Sequence, residues 1–170
     1  WKKIYEPIIR KAAGLGKPPK EFKAVSTHLH HNVDITIVGG GLNGLIAAKS
    51  LIDTKYSVLL IDFDDQLGGI LNNSNKVLSV NNQTPMDWIS ETVKEIENSK
   101  NIKILKNTLV TTYNYINHLI AVEDKFVGSR PLKDKVNSTL HKIRTDQVIL
   151  CNGHIERFLS FQNNDLPGIM

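Results

Sequence analysis

Several residue patterns that mark whole classes of protein are absent or rare in this sequence. Cysteine occurs once, so the sequence holds neither an internal disulfide nor a cysteine metal cluster, and this usage is typical of a reducing compartment. No apolar run is long enough to span a bilayer, and the first residues lack the apolar core of a signal peptide. We therefore expect a cytoplasmic protein with no membrane partner.

Positive charge is concentrated at the start of the chain. The first 23 residues carry seven Lys or Arg and two Glu, whereas the rest carries 14 Lys or Arg against 15 Asp or Glu. Because the rest is close to neutral, a nucleic-acid-binding face is not expected. The basic start is instead suited to covering an acidic neighbouring surface.

A glycine-rich turn is the most informative motif that is present. Residues 38–44 read Val-Gly-Gly-Gly-Leu-Asn-Gly, between an apolar run at 35–38 and a helix-like run at 45–52. Gly39 permits a tight turn, Gly41 lets the backbone approach a diphosphate, and Gly44 lets the helix pack against the strand. The helix amino terminus then favours an anion. This arrangement predicts a dinucleotide-binding site.

A second apolar run, at residues 58–61, ends in Asp62. This residue follows Gly44 by 18 positions, close to the spacing of roughly 20 expected for the acid that binds the ribose. We expect Asp62 to accept hydrogen bonds from the adenosine ribose and to repel a 2′-phosphate. The motif therefore favours NAD or FAD over NADP.

The remaining pattern predicts an α/β fold with an antiparallel insertion. A helix is expected at 3–13, and an irregular link at 14–32 includes the histidines at 28, 30 and 31, which we expect to be solvated rather than to bind a metal. Strands are expected at 33–38, 57–62 and 102–105, with a loop at 63–83. A hairpin is expected from strands at 108–115 and 119–127 with a turn at Asn117-His118, then strands at 140–144 and 147–150.

One helix in this pattern has clear boundary signals. Thr84 is a suitable N-cap, Pro85 fits the first helical position, and Asp87 completes a pattern similar to a capping box. The helix is expected to extend to about residue 99. Its core-facing residues are expected to be Trp88, Ile89, Val93 and Ile96.

The predicted fold class is therefore a Rossmann-like FAD/NAD(P)-binding domain of the glutathione-reductase-like type, with a parallel sheet and an inserted antiparallel β-meander. Three parts are expected: a basic helical leader and linker at 1–32, a truncated dinucleotide-binding domain at 33–157, and the start of a following segment at 158–170. In the meander, Tyr113 and Tyr115 are expected to pack on the sheet. Cys151 is expected to pack rather than to act as a redox thiol. His154, Glu156 and Arg157 form either a cofactor- or partner-facing cluster or an ordinary loop.

Several short motifs outside the glycine turn resemble one protein family. They occur in the same order as in the alpha subunit of heterotetrameric sarcosine oxidase, and the resemblance extends over essentially the whole chain. The first reads Tyr-Glu-Pro-Ile-Ile-Arg and the last reads Asn-Asn-Asp-Leu-Pro-Gly-Ile-Met, and both are more specific than the glycine pattern. The motifs lie at residues 5–10, 12–16, 67–69, 142–144, 152–157 and 163–170.

The resemblance implies an internal piece of a much longer subunit. Members of that family oxidatively demethylate sarcosine to glycine, form peroxide and pass the one-carbon unit to tetrahydrofolate. In them the alpha dinucleotide fold holds NAD, the beta subunit holds FAD, and FMN lies between the subunits. The resemblance therefore implies NAD in this chain, with FAD as the alternative, and an FAD-binding beta subunit as a partner.

The resemblance also assigns cofactor binding by position, with Val110 offering backbone contacts to the adenine and Gly153 closing the pocket. Leu42-Asn43 stands where Pro-Ala is usual, and Phe63 stands where a second acid is usual. No catalytic or metal-binding residue is assigned. The cofactor-binding residues are Gly39, Gly41, Leu42, Asn43, Gly44, Asp62, Phe63, Gly69, Val110 and Gly153.

Two other functions fit the same residues. One is an FAD-binding subunit of a related amine or opine dehydrogenase, or of hydrogen cyanide synthase. The other is a non-catalytic scaffold whose nucleotide fold docks partner subunits, for which the basic first 23 residues are the supporting feature.

Overall fold

The computed structural model describes residues 5–14, 26–73, 83–124 and 138–154. Within them the chain forms three α-helices, one 3-10 helix and six strands. The helices are α1 (Tyr5–Ala12), α2 (Leu42–Ser50), α3 (Pro85–Asn98) and the 3-10 helix Gly69–Asn73. The strands are β1 (Ser26–Val38), β2 (Val58–Ile61), β3 (Ile102–Leu105), β4 (Thr108–Asn114), β5 (His118–Asp124) and β6 (Ser138–Leu150).

The six strands form one mixed sheet in the order β3-β2-β1-β6-β5-β4. β3, β2, β1 and β6 are parallel to one another, and β5 and β4 continue the sheet in antiparallel pairing. The predicted fold class is confirmed as a Rossmann-like α/β domain. The meander is part of the same sheet rather than a separate layer.

β1 is longer than the sequence pattern predicts. It begins at Ser26 and pairs with β6 along nearly its whole length, whereas its pairing with β2 starts at Ile35. The prediction that residues 26–32 belong to an irregular link is therefore wrong, and the three histidines lie in a strand. The error has a physical cause, because a polar segment can form a strand when a long partner satisfies its backbone hydrogen bonds.

β6 is also one element where the sequence predicts two. The expected third meander strand at 140–144 and the expected parallel strand at 147–150 are halves of a single 13-residue strand. Its first half pairs with β5 on one side, and both halves pair with β1 on the other.

β1 and β6 share an irregularity at one level. The pairing runs from Val33 opposite Thr145 directly to Ile35 opposite Gln147. The backbone N–H groups of Asp34 and Ile35 both donate to the Ser57 carbonyl, a feature of a β-bulge. Hydrogen bonds from Ser57 also hold the pKa of the exposed Asp34 carboxyl below its ordinary value.

After the bulge, the side chains of both strands point to the opposite faces from those that regular alternation would give. Val33 packs in one apolar cluster while Ile35 and Ile37 pack in the other, although regular alternation would place all three on one side. In β6, Ile143 and Val148 share a cluster although regular alternation would separate them.

α2 and α3 cover one face of the sheet. α2 and α3 pack there on the cluster that contains Ile35, Ile37 and Leu60. Trp88, Ile89 and Ile96 of α3 are buried and Val93 is half-buried, which confirms the predicted core face. The predicted cap is also confirmed, since the Asp87 N–H donates to the Thr84 hydroxyl oxygen at 3.2 Å.

The other face of the sheet is concave. β4 is the edge strand farthest from β3, yet the Thr108 N–H donates to the carbonyl of Asp62, just after β2, at 2.9 Å. The sheet must therefore curl until its far edge returns to β2. A second buried cluster fills this concave side, with residues Val38, Leu59, Ile61, Leu119, Ala121 and Ile143.

The hairpin between β4 and β5 turns through residues 115–117, and His118 already belongs to β5. Ile116 and Asn117 have φ of 59° and 47°, which the tight turn requires. Tyr115 is 90% exposed at this turn, so its predicted packing on the sheet is wrong. The predicted strand residues 125–127 lie outside the described residues.

Candidate dinucleotide-binding site

A cavity of about 690 Å³ lies at the carboxyl ends of β1, β2 and β6, with β4 along one side. Its volume is in the usual range for small-molecule sites, and its place fits the rule that open α/β sheets bind ligands at these strand ends. Nine of the ten predicted binding residues line it: Gly39, Gly41, Leu42, Asn43, Asp62, Phe63, Gly69, Val110 and Gly153.

Gly44, the tenth predicted residue, lies behind the cavity wall. A Cβ built there would collide with the carbonyl oxygen of Gly39. Gly44 therefore lets α2 begin close against the end of β1, which is the packing role that the sequence predicts for it.

The turn itself is pressed against the end of β6. Gly39 has φ of 104°, and a Cβ there would collide with the carbonyl of Cys151. The Cys151 N–H in turn donates to the Val38 carbonyl at 2.7 Å. These contacts fix the turn from behind and leave its other side towards the cavity.

Gly41 occupies that open side. A Cβ built on it meets no atom within 4 Å, and its φ of −72° is accessible to any residue. Gly41 is also the N-cap of α2, and no side chain caps the first turn of that helix. The backbone N–H groups at the start of α2 thus suit an anion beside Gly41, and the cradle fits a diphosphate.

Asp62 lies next to this cradle. One carboxylate oxygen accepts a hydrogen bond from the Gly40 N–H, and the other accepts one from the Asp64 N–H at 2.8 Å. Each oxygen keeps further acceptor capacity, so a ribose hydroxyl can still donate to it. The half-buried carboxylate lines the cavity and is held in a fixed orientation.

The segment after β2 forms a second backbone wall. The Gly68 N–H donates to the Gly40 carbonyl at 2.8 Å, and Gly41 and Gly68 form an isolated parallel bridge. A Cβ on Gly69 would lie 3.2 Å from the Cα of Gly41. This close approach of two backbones narrows the cavity beside the diphosphate cradle. The sequence predicts a loop here and does not reveal the 3-10 helix.

Other residues line the cavity without having been predicted. Most of them adjoin a predicted residue in the sequence. Many also lie at the carboxyl end of a parallel strand, and this position could have identified them. Ile70 follows the predicted Gly69 but does not lie at the carboxyl end of a parallel strand, and its side chain is 81% exposed. The additional residues are Val38, Ile61, Asp64, Ile70, Thr108, Leu109, Cys151, Asn152 and His154.

Two of these bear on the sequence predictions. Burial raises the pKa of the Cys151 thiol, so it stays protonated at neutral pH, as a packing residue does. His154 lies at the cavity and is exposed, whereas Glu156 and Arg157 lie outside the described residues.

Comparisons with known proteins agree with this geometry. Residues 37–105 match the NAD(P)-binding Rossmann-like domain family. The chain is 32% identical over 164 residues to the sarcosine oxidase alpha subunit of Corynebacterium sp. strain P-1, covering 92% of this chain and 16% of that one. The predicted resemblance is confirmed. The alpha subunit of Rhizobium meliloti strain 1021 is 30% identical over 177 residues, covering 100% of this chain and 17% of its own.

The chain therefore corresponds to one segment, about a sixth, of the sarcosine oxidase alpha subunits that it matches. Among solved structures, L-proline dehydrogenase from P. horikoshii superposes with a TM-score of 0.61 and 25% identity. That match covers 88% of this chain and 28% of the dehydrogenase. These relatives are oxidoreductases, and the segment of this chain that matches them contains the NAD(P)-binding Rossmann-like domain.

In the four described ranges, no group of three or more His, Cys, Asp or Glu is placed to hold a metal ion. None of the helices described is both long enough and apolar enough to cross a membrane.

Proposed function

We propose that this chain is the dinucleotide-binding part of a larger, hetero-oligomeric amine oxidoreductase of the sarcosine oxidase type. The observation that carries the proposal is the open backbone at Gly41 beside the fixed carboxylate of Asp62. It occurs in a chain that resembles sarcosine oxidase alpha subunits along 92% of its length. We propose NAD as the ligand, with FAD as the alternative.

The chain's own residues would bind and orient the dinucleotide. The start of α2 and the backbone of Gly41 would hold the diphosphate, and Asp62 would accept from the ribose hydroxyls. Val110 would face the adenine with its backbone, and Gly153 would close the pocket. When bound, the dinucleotide supplies redox chemistry, and we assign no catalytic residue to this chain.

The finer parts of the proposal come from the family resemblance. The substrate would be sarcosine, demethylated to glycine with formation of peroxide and transfer of the one-carbon unit to tetrahydrofolate. The partners would be the other subunits of a heterotetramer, above all a beta subunit with FAD, and FMN would lie between the subunits. The assembly would work in the cytoplasm.

The first experiment identifies the ligand. Nucleotide released from the purified protein by heat is analysed by mass spectrometry, and the protein is titrated with NAD, NADP and FAD by calorimetry. We expect NAD to be released or to bind. Release of FAD, with flavin absorbance in the purified protein, would favour the related amine or opine dehydrogenase subunits.

The second experiment tests the cradle. Gly41→Val places a side chain in the diphosphate position, and its Cβ meets no other atom, so the fold should persist while nucleotide affinity falls about a hundredfold, a loss of about 2.8 kcal/mol. Ser50→Val is the matched control, since it adds the same side chain at the opposite end of α2. If Gly41→Val changes neither binding nor the activity of the assembled complex, the scaffold function replaces the proposal.

A further inference from the structure

Three ionisable side chains form a hydrogen-bonded row on the concave side of the sheet. The Nε2 atom of His31 lies 2.9 Å from Nδ1 of His141, and Nε2 of His141 lies 3.2 Å from a carboxylate oxygen of Glu123. The two imidazole rings meet edge to edge, with centroids 5.1 Å apart and planes inclined by 28°. His31 lies in the first half of β1, His141 in the first half of β6 and Glu123 near the end of β5. None of the three lines the cavity.

Burial restricts where the hydrogens of these side chains can be placed. The side chain of His141 is 1% exposed and that of Glu123 is 24% exposed. A buried imidazole requires a partner for each ring nitrogen, and His31 and Glu123 supply them. With both histidines neutral, His31 donates from Nε2 to Nδ1 of His141, and His141 donates from Nε2 to the Glu123 carboxylate.

The histidine pair can bind at most one further proton without breaking. The two nitrogens that face each other share a single hydrogen, so a second proton would set N–H against N–H and cation against cation. Burial lowers the pKa of His31, and the charges of Lys103, His141 and His30 lower it further. Lys103 of β3 and His30 of β1 act on His31, and Glu123 of β5 contacts His141.

The row also lies where β1 has little other support. β1 pairs with β2 only from Ile35 onward, so in the described structure its first half pairs with β6 alone. β5 pairs with the same half of β6 on the other side. The row therefore connects the three strands through side chains at a level that β2 and β3 do not reach.

We propose that His31, His141 and Glu123 form a pH-sensitive latch that holds the first half of β1 to β6 and β5 at neutral pH and opens in mildly acidic solution. Because the pKa of His31 in the folded state lies below its ordinary 6.5, the open state binds more protons. The latch is therefore fully stabilising above that ordinary value and weakens as pH falls through the folded-state pKa.

Hydrogen–deuterium exchange, corrected for the intrinsic effect of pH on exchange, tests the latch in the purified protein. From about pH 7.5 to about pH 5.5, we expect amides of residues 26–33 and 118–124 to lose protection about tenfold, while amides of α3 change little. His31→Gln keeps an N–H donor near the same position but cannot take up a proton, so it should remove this pH dependence. His28→Gln is the matched control, because His28 is exposed on the same strand.

Imidazole nitrogen NMR provides a second measurement. Near neutral pH we expect the Nε2–H tautomer for both histidines. The latch is refuted if wild-type protection of residues 26–33 does not change with pH, or if His31→Gln keeps the wild-type pH dependence. It is also refuted if both histidines are neutral and both carry their proton on the nitrogens that face each other, Nε2 of His31 and Nδ1 of His141.

Discussion

The backbone N–H of Gly40 donates a hydrogen bond to the carboxylate of Asp62. This bond connects the glycine turn after β1 to the residue that follows β2. A Cβ on Gly40 would also collide with the end of the Leu67 side chain, so the contact favours a glycine here. The diphosphate cradle and the ribose acceptor are thus positioned as one unit before any ligand arrives, which lowers the ordering cost of binding.

Replacing Asp62 by Asn should weaken binding of the proposed dinucleotide. The substitution removes the negative charge and one acceptor, so we expect the dissociation constant for NAD to rise about ten- to hundredfold. Discrimination against NADP should fall, because the repulsion of its 2′-phosphate is lost. Calorimetric titration with both nucleotides measures the two effects.

Asp53→Asn is the control for this change, since Asp53 is an exposed carboxylate with φ of 55°, a conformation that Asn tolerates well. Unchanged affinity for both nucleotides in Asp62→Asn would exclude the proposed contact with the ribose.

Alanine should destabilise the protein more at Gly44 than at Gly41. At Gly44 the new Cβ collides with the Gly39 carbonyl, so we expect the free energy of unfolding to fall by about 1–3 kcal/mol despite the better helix propensity of Ala. At Gly41 the Cβ enters open space, and the only cost is the preference of an N-cap for Gly over Ala, so we expect a loss of at most about 1 kcal/mol. Urea denaturation of both variants measures the contrast. Equal destabilisation of the two would mean that the helix does not start against the strand end.

Removing the hydroxyl of Thr84 should destabilise α3. The hydroxyl oxygen accepts from the Asp87 N–H, and the loss of such a cap costs about 1 kcal/mol. Thr84→Ala should therefore lower the denaturation midpoint, whereas Thr84→Ser should keep most of the stability. If Ser and Ala behave alike, the hydrogen bond is not what stabilises this helix start.

The single cysteine offers a direct report on the cavity. Because burial raises the pKa of Cys151, its alkylation by iodoacetamide should be slow near neutral pH and faster at alkaline pH. Since Cys151 lines the cavity, bound nucleotide at about ten times its dissociation constant should slow alkylation about tenfold. Mass spectrometry follows the modification, and an added nucleotide that binds without protecting Cys151 would place the ligand elsewhere.

The cavity was predictable because its determinants are local in sequence. The glycines at 39, 41 and 44 and the acid at the end of β2 act over a short stretch, and their spacing reflects backbone geometry. The N-cap at Thr84 is local in the same sense. Such features are read from a few consecutive residues.

The long strands were not predictable in this way. The first half of β1 is polar and exposed, and it is a strand because it pairs with residues of β6 that are 112 positions later, as in His30 with Lys142. The exchange of faces near Asp34 also breaks the alternation that strand prediction uses. The contact between His31 and His141 depends on the same distant pairing, so no local pattern could reveal it.

Asp34 of β1 and Asp146 of β6 lie opposite each other where the regular pairing of the two strands is interrupted. The lengths of these two strands, which lie far apart in the chain, therefore depend on each other. A one-residue deletion at Asp34 alone would move the side chains of half of β1 to the opposite face of the sheet. Its apolar side chains would then point away from the cluster in which they pack. Insertions and deletions in this part of the gene should therefore be tolerated only in matched pairs, one in each strand.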